Sequence, residues 1–285
     1  MTKGNKVLIL LPVYKDSLSL IELVSLARCM EILGRHEICV VAPENLDLPS
    51  EVSSLRCERF NTHYFSGTEA YNSLMLSTGF YKRFLEYEYL LIHQLDVFIF
   101  KDTLLEWCSK SYSYVGAPWE QGSWWNEKDI RQGLPFWIRS RLFSFLPPLE
   151  SQVGNGGLSL RKTKHMYYAA KLLKRTLKAW GGRNEDSFFS IAVPECWWWS
   201  AYSTPSAKQA RNFSIEENPS DSVDLLNGEL PLGCHAWDKH EPEFWHPIFE
   251  NFGYSFDLEE IKKGSDAWQM NRKNKRNPVA IHDDN

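Results

Sequence analysis

Four short motifs hold the side chains best suited to chemistry. Gln94-Leu95-Asp96 directly follows the apolar run YLLIH. A carboxylate at the end of a central strand stands where open α/β sheets bind their ligands, so Asp96 suits a divalent cation carrying phosphates. A turn-forming Asp would look the same. Val153-Gly154-Asn155-Gly156-Gly157 carries three glycines ahead of a short strand, which allows close approach of backbone to a ligand or a positive φ. It has neither Walker A nor dinucleotide spacing. Asn184-Glu185-Asp186-Ser187 sets two acids at a helix start. Acids favour that position electrostatically, and one of them is equally a candidate general base for a hydroxyl. Gly233-Cys234-His235-Ala236-Trp237 adds a histidine that is either structural or a ligand.

Aromatics form a further constellation. The chain has as many tryptophans as tyrosines, 12 of each. They cluster at Trp119, Trp124, Trp125 and Trp137, and again at Trp197, Trp198 and Trp199. Exposed indole faces stack on sugar rings or cations; buried ones pack in a core or an interface.

The elements that must position these residues alternate between strand and helix. Lys6 to Leu11 and Ile38 to Ala42 are continuous apolar runs, the pattern of strands buried on both faces. Leu18, Ile21, Val24, Ala27, Met30 and Leu33 recur at helical spacing up to Gly34. Leu55 to Phe60, Tyr89 to His93, Val97 to Phe100, Tyr114 to Ala117 and Gly157 to Arg161 predict further strands or apolar segments. Ala70 to Leu85 predicts one helix with an irregularity at Gly79, Met166 to Trp180 another, and Glu185 to Val193 a third. This order predicts an α/β fold with a largely parallel, Rossmann-type sheet flanked by helices and a C-terminal elaboration. From 119 to 152 the periodicity fails and a long excursion follows. We expect one domain over 1–270 and a polar tail over 271–285.

Composition limits the function. Lys and Arg number 32 against 36 Asp and Glu, a net charge of −4. That argues against a nucleic-acid binder. A hydrophobic fraction of 43% excludes disorder as the main state. No apolar run approaches the ~20 residues of a membrane span. The run from Val7 to Val13 lacks a small-residue cleavage site, so no secretory leader is expected. Six scattered cysteines without a CxxC suggest reduced thiols and a cytoplasmic setting.

Taken in order, YEYLLIHQLDVFIF, YVGAPW, VGNGGLSLR, NEDSFF and GCHAW resemble the GT-A-type glycosyltransferases of bacterial polysaccharide gene clusters, in a branch with QxD in place of DxD. The resemblance runs from about Tyr71 to Trp237, with a compatible strand at Val7 to Pro12. It implies a nucleotide-sugar donor, most commonly a UDP-sugar, lying across the strand ends with its diphosphate on Mn²⁺ or Mg²⁺. Asp96 and His235 match the metal ligands, and Gln94 departs from the pattern by replacing the first acid. Pro12, Val13 and Tyr14 match the segment around the nucleotide base. Asn155, Gly156 and Gly157 match the loop near the donor sugar. Glu185 and Asp186 match the acidic pair whose second member is the base in inverting transfer.

Acceptor binding is expected from Trp119, Trp124, Trp125 and Trp237, with a cell-surface glycan or lipid-linked acceptor of the O-antigen or capsule type. Phe136, Trp137 and their apolar neighbours, with Arg139 and Arg141, are compatible with peripheral contact to the inner face of a membrane, a packed hairpin or an oligomer interface. Two rival readings stand beside this one. The first is a carbohydrate-binding or scaffold subunit that lost catalysis, and the second is a retaining transferase on the same fold.

Overall fold

The computed structural model describes residues 6–119, 153–180, 184–194 and 201–276. Among them the main sheet has six strands: β1 (Val7–Pro12), β2 (Glu37–Pro43), β3 (Arg56–Phe60), β4 (Tyr89–His93), β6 (Tyr114–Val115) and β7 (Leu158–Lys162). Their order is β3-β2-β1-β4-β7-β6. The four strands from β3 to β4 run parallel, whereas β7 is antiparallel to both β4 and β6. The expected α/β class with a mostly parallel sheet is met. A second sheet of three short strands, β5 (Val97–Ile99), β8 (Ser214–Ile215) and β9 (Gly233–His235), has the order β5-β9-β8.

Side chains alternate across the main sheet, so each strand feeds two layers. Leu8, Leu10, Leu90 and Ile92 face an aromatic layer containing Phe80, Tyr81, Phe84, Phe188 and Phe189. Val7, Ile9, Leu11 and Leu91 face the opposite layer, where α1 (Leu20–Leu33) brings Leu26, Cys29 and Leu33, and α4 (Leu104–Ser109) brings Leu104 and Trp107. A third core joins the small sheet to the C-terminal helix Pro242–Asn251 through Phe98, Phe100, Trp237, Trp245 and Phe249.

Two expected helices differ in detail. The segment read as one helix from Ala70 to Leu85 is two, α2 (Thr68–Met75) and α3 (Thr78–Lys82). The break lies at Ser77, whose side chain accepts from Phe80 N at 3.0 Å and starts a new helix. Gly79 is inside α3 and is not the interruption. The helix expected from Glu185 to Val193 is a single turn, Glu185–Ser187, continued as a π-helical turn over Phe188–Ala192. A helix over Leu258–Arg276 continues past the expected tail boundary at 271. Among the described residues, no helix is long and apolar enough to cross a membrane.

The central strand β4 should tolerate truncation poorly. Leu91→Ala is expected to lower unfolding free energy by about 2–5 kcal/mol, the usual range for a fully buried leucine, in chemical denaturation. A loss below about 1 kcal/mol would contradict the packing described.

Candidate functional site

The site forms where the two sheets meet. Strands β4 and β5 are joined only by Gln94-Leu95-Asp96, a turn closed by Val97 N–H donating to Gln94 O at 3.2 Å. One strand belongs to each sheet, so the turn spans the junction. The antiparallel register Val97↔His235 then brings His235 beside it. Ala236, at φ +50°, donates its N–H to Asp96 O at 2.9 Å and secures the placement. On the other side, Gln94 N–H donates to Gly157 O at 2.8 Å, which ties the glycine loop to the same turn.

The glycines serve the protein's own side chains. A Cβ at Gly156 would collide with the Glu185 carboxylate, one at Gly157 with the His235 ring, and one at Gly154 with the Trp119 indole. The absent side chains make room for three site side chains, and Gly156 and Gly157 also line the smaller of the cavities described below. The positive φ of this loop falls on Asn155, at +66°. Its Oδ1 accepts from Gly157 N at 2.8 Å, the local bond that lets Asn adopt the left-handed region. Its Nδ2 is buried without a hydrogen-bond partner among the described residues.

The two acids are held differently. Arg161, fully buried in β7, donates from one guanidinium nitrogen to Glu185 Oε1 at 2.7 Å and from another to Tyr81 OH at 3.0 Å. Such a buried cation requires a carboxylate partner. Asp186 accepts from Asn155 N at 3.1 Å and from Ser187 N at 2.6 Å. Burial, followed by the charge of Glu185, pushes the Asp186 carboxyl up to about 7. A carboxyl that titrates near neutrality is matched to proton abstraction. Sequence reasoning missed Arg161. Its signal was an arginine one residue inside the end of the strand LSLRK, two residues on from Ser159, with an acid pair downstream.

Asp96 and His235 meet inside an ionic set that also contains Lys239 and Glu216. Lys239 Nζ lies 2.6 Å from Asp96 Oδ2. His235 Nε2 lies 3.1 Å from Asp96 Oδ1, off the line a hydrogen bond needs, and its Nδ1 lies 3.0 Å from Glu216 Oε1. Burial opposes charge on the imidazole, yet Asp96 and Glu216 outweigh it and push the ring to about 10. Burial also opposes ionisation of Asp96, but His235 and Lys239 hold its carboxyl well below the usual carboxylate range.

This donor set does not fit the expected Mn²⁺ or Mg²⁺. Among the described residues, no group of three or more His, Cys, Asp or Glu side chains is arranged to hold a metal ion. Gln94 offers an uncharged amide, and Asp96 Oδ2 is bound to an ammonium, which leaves Asp96 Oδ1, buried without a hydrogen-bond partner among the described residues, as the one carboxylate oxygen of this turn still open. Glu216 carried no signal in the sequence, and Lys239 only as one of the polar residues, with Asp238 and His240, that follow His235; they follow β8 and β9 and are brought together by strand pairing.

Two adjoining cavities open on these groups. The larger, about 470 Å³, is lined by Pro12, Tyr14, Lys15, Gln94, Asp96 and Lys239 among others. The smaller, about 260 Å³, is lined by Trp119, Asn155, Gly156, Glu185, Asp186 and His235 among others. Thr68, Tyr71 and Gln94 line both. Tyr14 is 55% exposed at the larger cavity, whereas the Val13 side chain turns into the core, so of that segment only Pro12 and Tyr14 face the cavity. Trp119 forms part of the smaller cavity's wall. Trp237 corrects its expected acceptor role: it is buried in the third core, 5.0 Å from the rings of Phe249 and Phe256, with no face for a sugar. Trp124, Trp125, Trp137 and the triplet from Trp197 lie outside the described residues.

The family assignment follows from a model matching residues 54–235, from β3 to His235. The chain belongs to DUF5672, a family described as protein of unknown function. The matched stretch of this DUF5672 member contains the turn, the glycine loop, the acid pair and His235, and stops short of Lys239. No curated protein matches the sequence. Among solved structures, the galactosyltransferase LgtC in complex with donor and acceptor sugar analogues is similar at 11% identity and a TM-score of 0.44, over 91% of this chain and 95% of that one. An active-site mutant of LgtC is similar at 12% identity and a TM-score of 0.47, over 90% of this chain and 94% of that one.

The raised Asp186 carboxyl has a consequence for stability. Between about pH 4 and about pH 7 the folded chain holds a proton there that the unfolded chain has released. The group's contribution to stability therefore falls as pH rises through that window. The melting temperature of Asp186→Asn, relative to wild type, should climb between about pH 5 and about pH 8. A pH-independent difference would show that Asp186 titrates normally.

Proposed function

We propose that this chain is a nucleotide-sugar-dependent glycosyltransferase that acts with inversion. One GT-A-like unit over 1–270 would carry the reaction. The observation that supports it most is Asp186: a buried carboxylate raised to about 7, held by Asn155 N–H and lining the smaller of two joined cavities. The larger cavity, with exposed Tyr14 and two lysines at the ends of β1 and β9, suits a nucleoside diphosphate. The smaller suits the sugar and the acceptor hydroxyl.

In this reading the donor's anomeric carbon sits near the shared wall of Thr68, Tyr71 and Gln94. Asp186 takes the acceptor hydroxyl proton as that oxygen bonds to the anomeric carbon. The bond from that carbon to the diphosphate breaks on the opposite face, and the pair of electrons leaves with the diphosphate. Glu185 is held by Arg161, and after burial its charge is what sustains the basicity of Asp186. The buried Nδ2 of Asn155 is free to donate to a sugar hydroxyl. The acceptor would be a hydroxyl of a cell-surface glycan or lipid-linked sugar.

Asp186→Asn should lower transfer by about 10²–10⁴-fold, the contribution of a positioned base, with donor binding unchanged in calorimetry. Wild-type turnover in that variant would refute the assignment. In Glu185→Gln, the rising limb of the pH–rate profile should move to lower pH, because one charge opposing Asp186 ionisation is gone. An unmoved limb would separate Glu185 from the tuning of the base. Product configuration by NMR distinguishes inversion from retention.

A further inference from the structure

Lys15 and Lys239 come from opposite ends of the chain to one cavity. Lys15 follows β1, and Lys239 follows β9; both line the space of about 470 Å³ in front of the Gln94–Asp96 turn. Two ammonium groups thus share one cavity wall, each held by a carboxylate, Lys15 by Glu22 and Lys239 by Asp96. Like charges are brought together on a cavity wall at a cost that a bound anion relieves.

Each ammonium has hydrogen-bonding capacity left. An ammonium offers three N–H donors. Among the described residues, Lys239 Nζ donates to Asp96 Oδ2 at 2.6 Å, and Asp238 Oδ1, at 3.8 Å, is beyond a hydrogen bond. Lys15 Nζ donates to Glu22 Oε1 at 3.0 Å. The remaining donors are available to phosphate oxygens, for which lysine serves as a compact point charge. Asp96 acts here as the anchor that orients Lys239. A divalent cation on the same carboxylate would have to compete with an ammonium already bound to it.

We infer that Lys239 and Lys15 hold the donor's diphosphate and that this chain binds its donor without a divalent cation. The inference rests on the nucleotide-sugar reading and replaces the metal expected from the motif resemblance. The charge on the departing diphosphate is then met by two fixed ammonium groups, preorganised in the manner of lysine and arginine clamps on phosphoryl groups.

The test is titration calorimetry of the full chain with UDP, GDP, ADP and CDP, first in EDTA and then with excess MnCl₂. One nucleoside diphosphate should bind in EDTA, and Mn²⁺ should leave its Kd unchanged. Lys15→Met should weaken that binding by about tenfold or more, as loss of one charge-assisted hydrogen bond does, with an unaltered melting temperature. Lys239→Met should weaken it further, and Lys239→Arg should recover part of the loss. Lys239→Met also strips Asp96 of a buried partner, so Lys15→Met and Lys239→Arg carry the result if that variant fails to fold. Binding that appears only with Mn²⁺ would overturn the inference and leave the donor reading standing. Binding in EDTA that is indifferent to Lys15→Met and to the Lys239 variants would overturn it as well. If none of the four nucleotides binds under either condition, the donor reading fails and the inference falls with it.

Discussion

A guanidinium with no access to water must be paired inside the protein, and Arg161 is paired with Glu185. Much of the site's geometry depends on that pair. It fixes the start of the short helix that carries Asp186 against the end of β7, and it forces the residue at 156 to be glycine, since any side chain there would strike the Glu185 carboxylate. Breaking a buried pair from one side commonly costs about 3–5 kcal/mol, because the other charge is stranded. Burial, followed by the charge of the Glu185 held beside it, pushes the neighbouring Asp186 carboxyl above the usual carboxylate range. A structural requirement of one residue becomes the chemical property of the next.

The second organising feature is the junction between the sheets. Asp96 lies at the end of a turn with β4 of the main sheet on one side and β5 of the small sheet on the other. His235, Glu216 and Lys239 reach it through the pairing of β5, β9 and β8. These pairings are short, and they are held from behind by the third aromatic core, where Phe98 stacks on Phe249 at 4.0 Å. The tryptophan excess finds much of its explanation here and in the other layers: Trp107, Trp119, Trp180, Trp237 and Trp245 are all buried.

Much of the fold was legible because strands buried on both faces leave continuous apolar runs. VLILLP and EICVVAP gave β1 and β2 almost to the residue. The acids and the histidine were legible as types near element ends. The partners that decide their chemistry were not. Arg161, Lys239 and Glu216 sit 24, 143 and 19 residues from the groups they pair with, and local pattern carries no information at those separations. The glycine loop is legible as glycines, but a sequence cannot say that their missing side chains make room for Glu185, His235 and Trp119. Composition alone could not separate tryptophans that stack on sugars from tryptophans that fill cores.

The distance along the chain between Asp96 and Lys239 bears on how the molecule is made. A ribosome that has finished β4 and β5 has delivered Asp96, yet neither cationic partner of its carboxylate exists until β9 and the segment after it emerge. The large sheet can assemble through β7 while the small sheet still lacks β8 and β9. Domains generally begin to fold during synthesis, from the N-terminal side. The pocket is thus completed only late in synthesis, and a nascent chain stopped short of residue 239 displays an open junction with an unmatched acid at its edge.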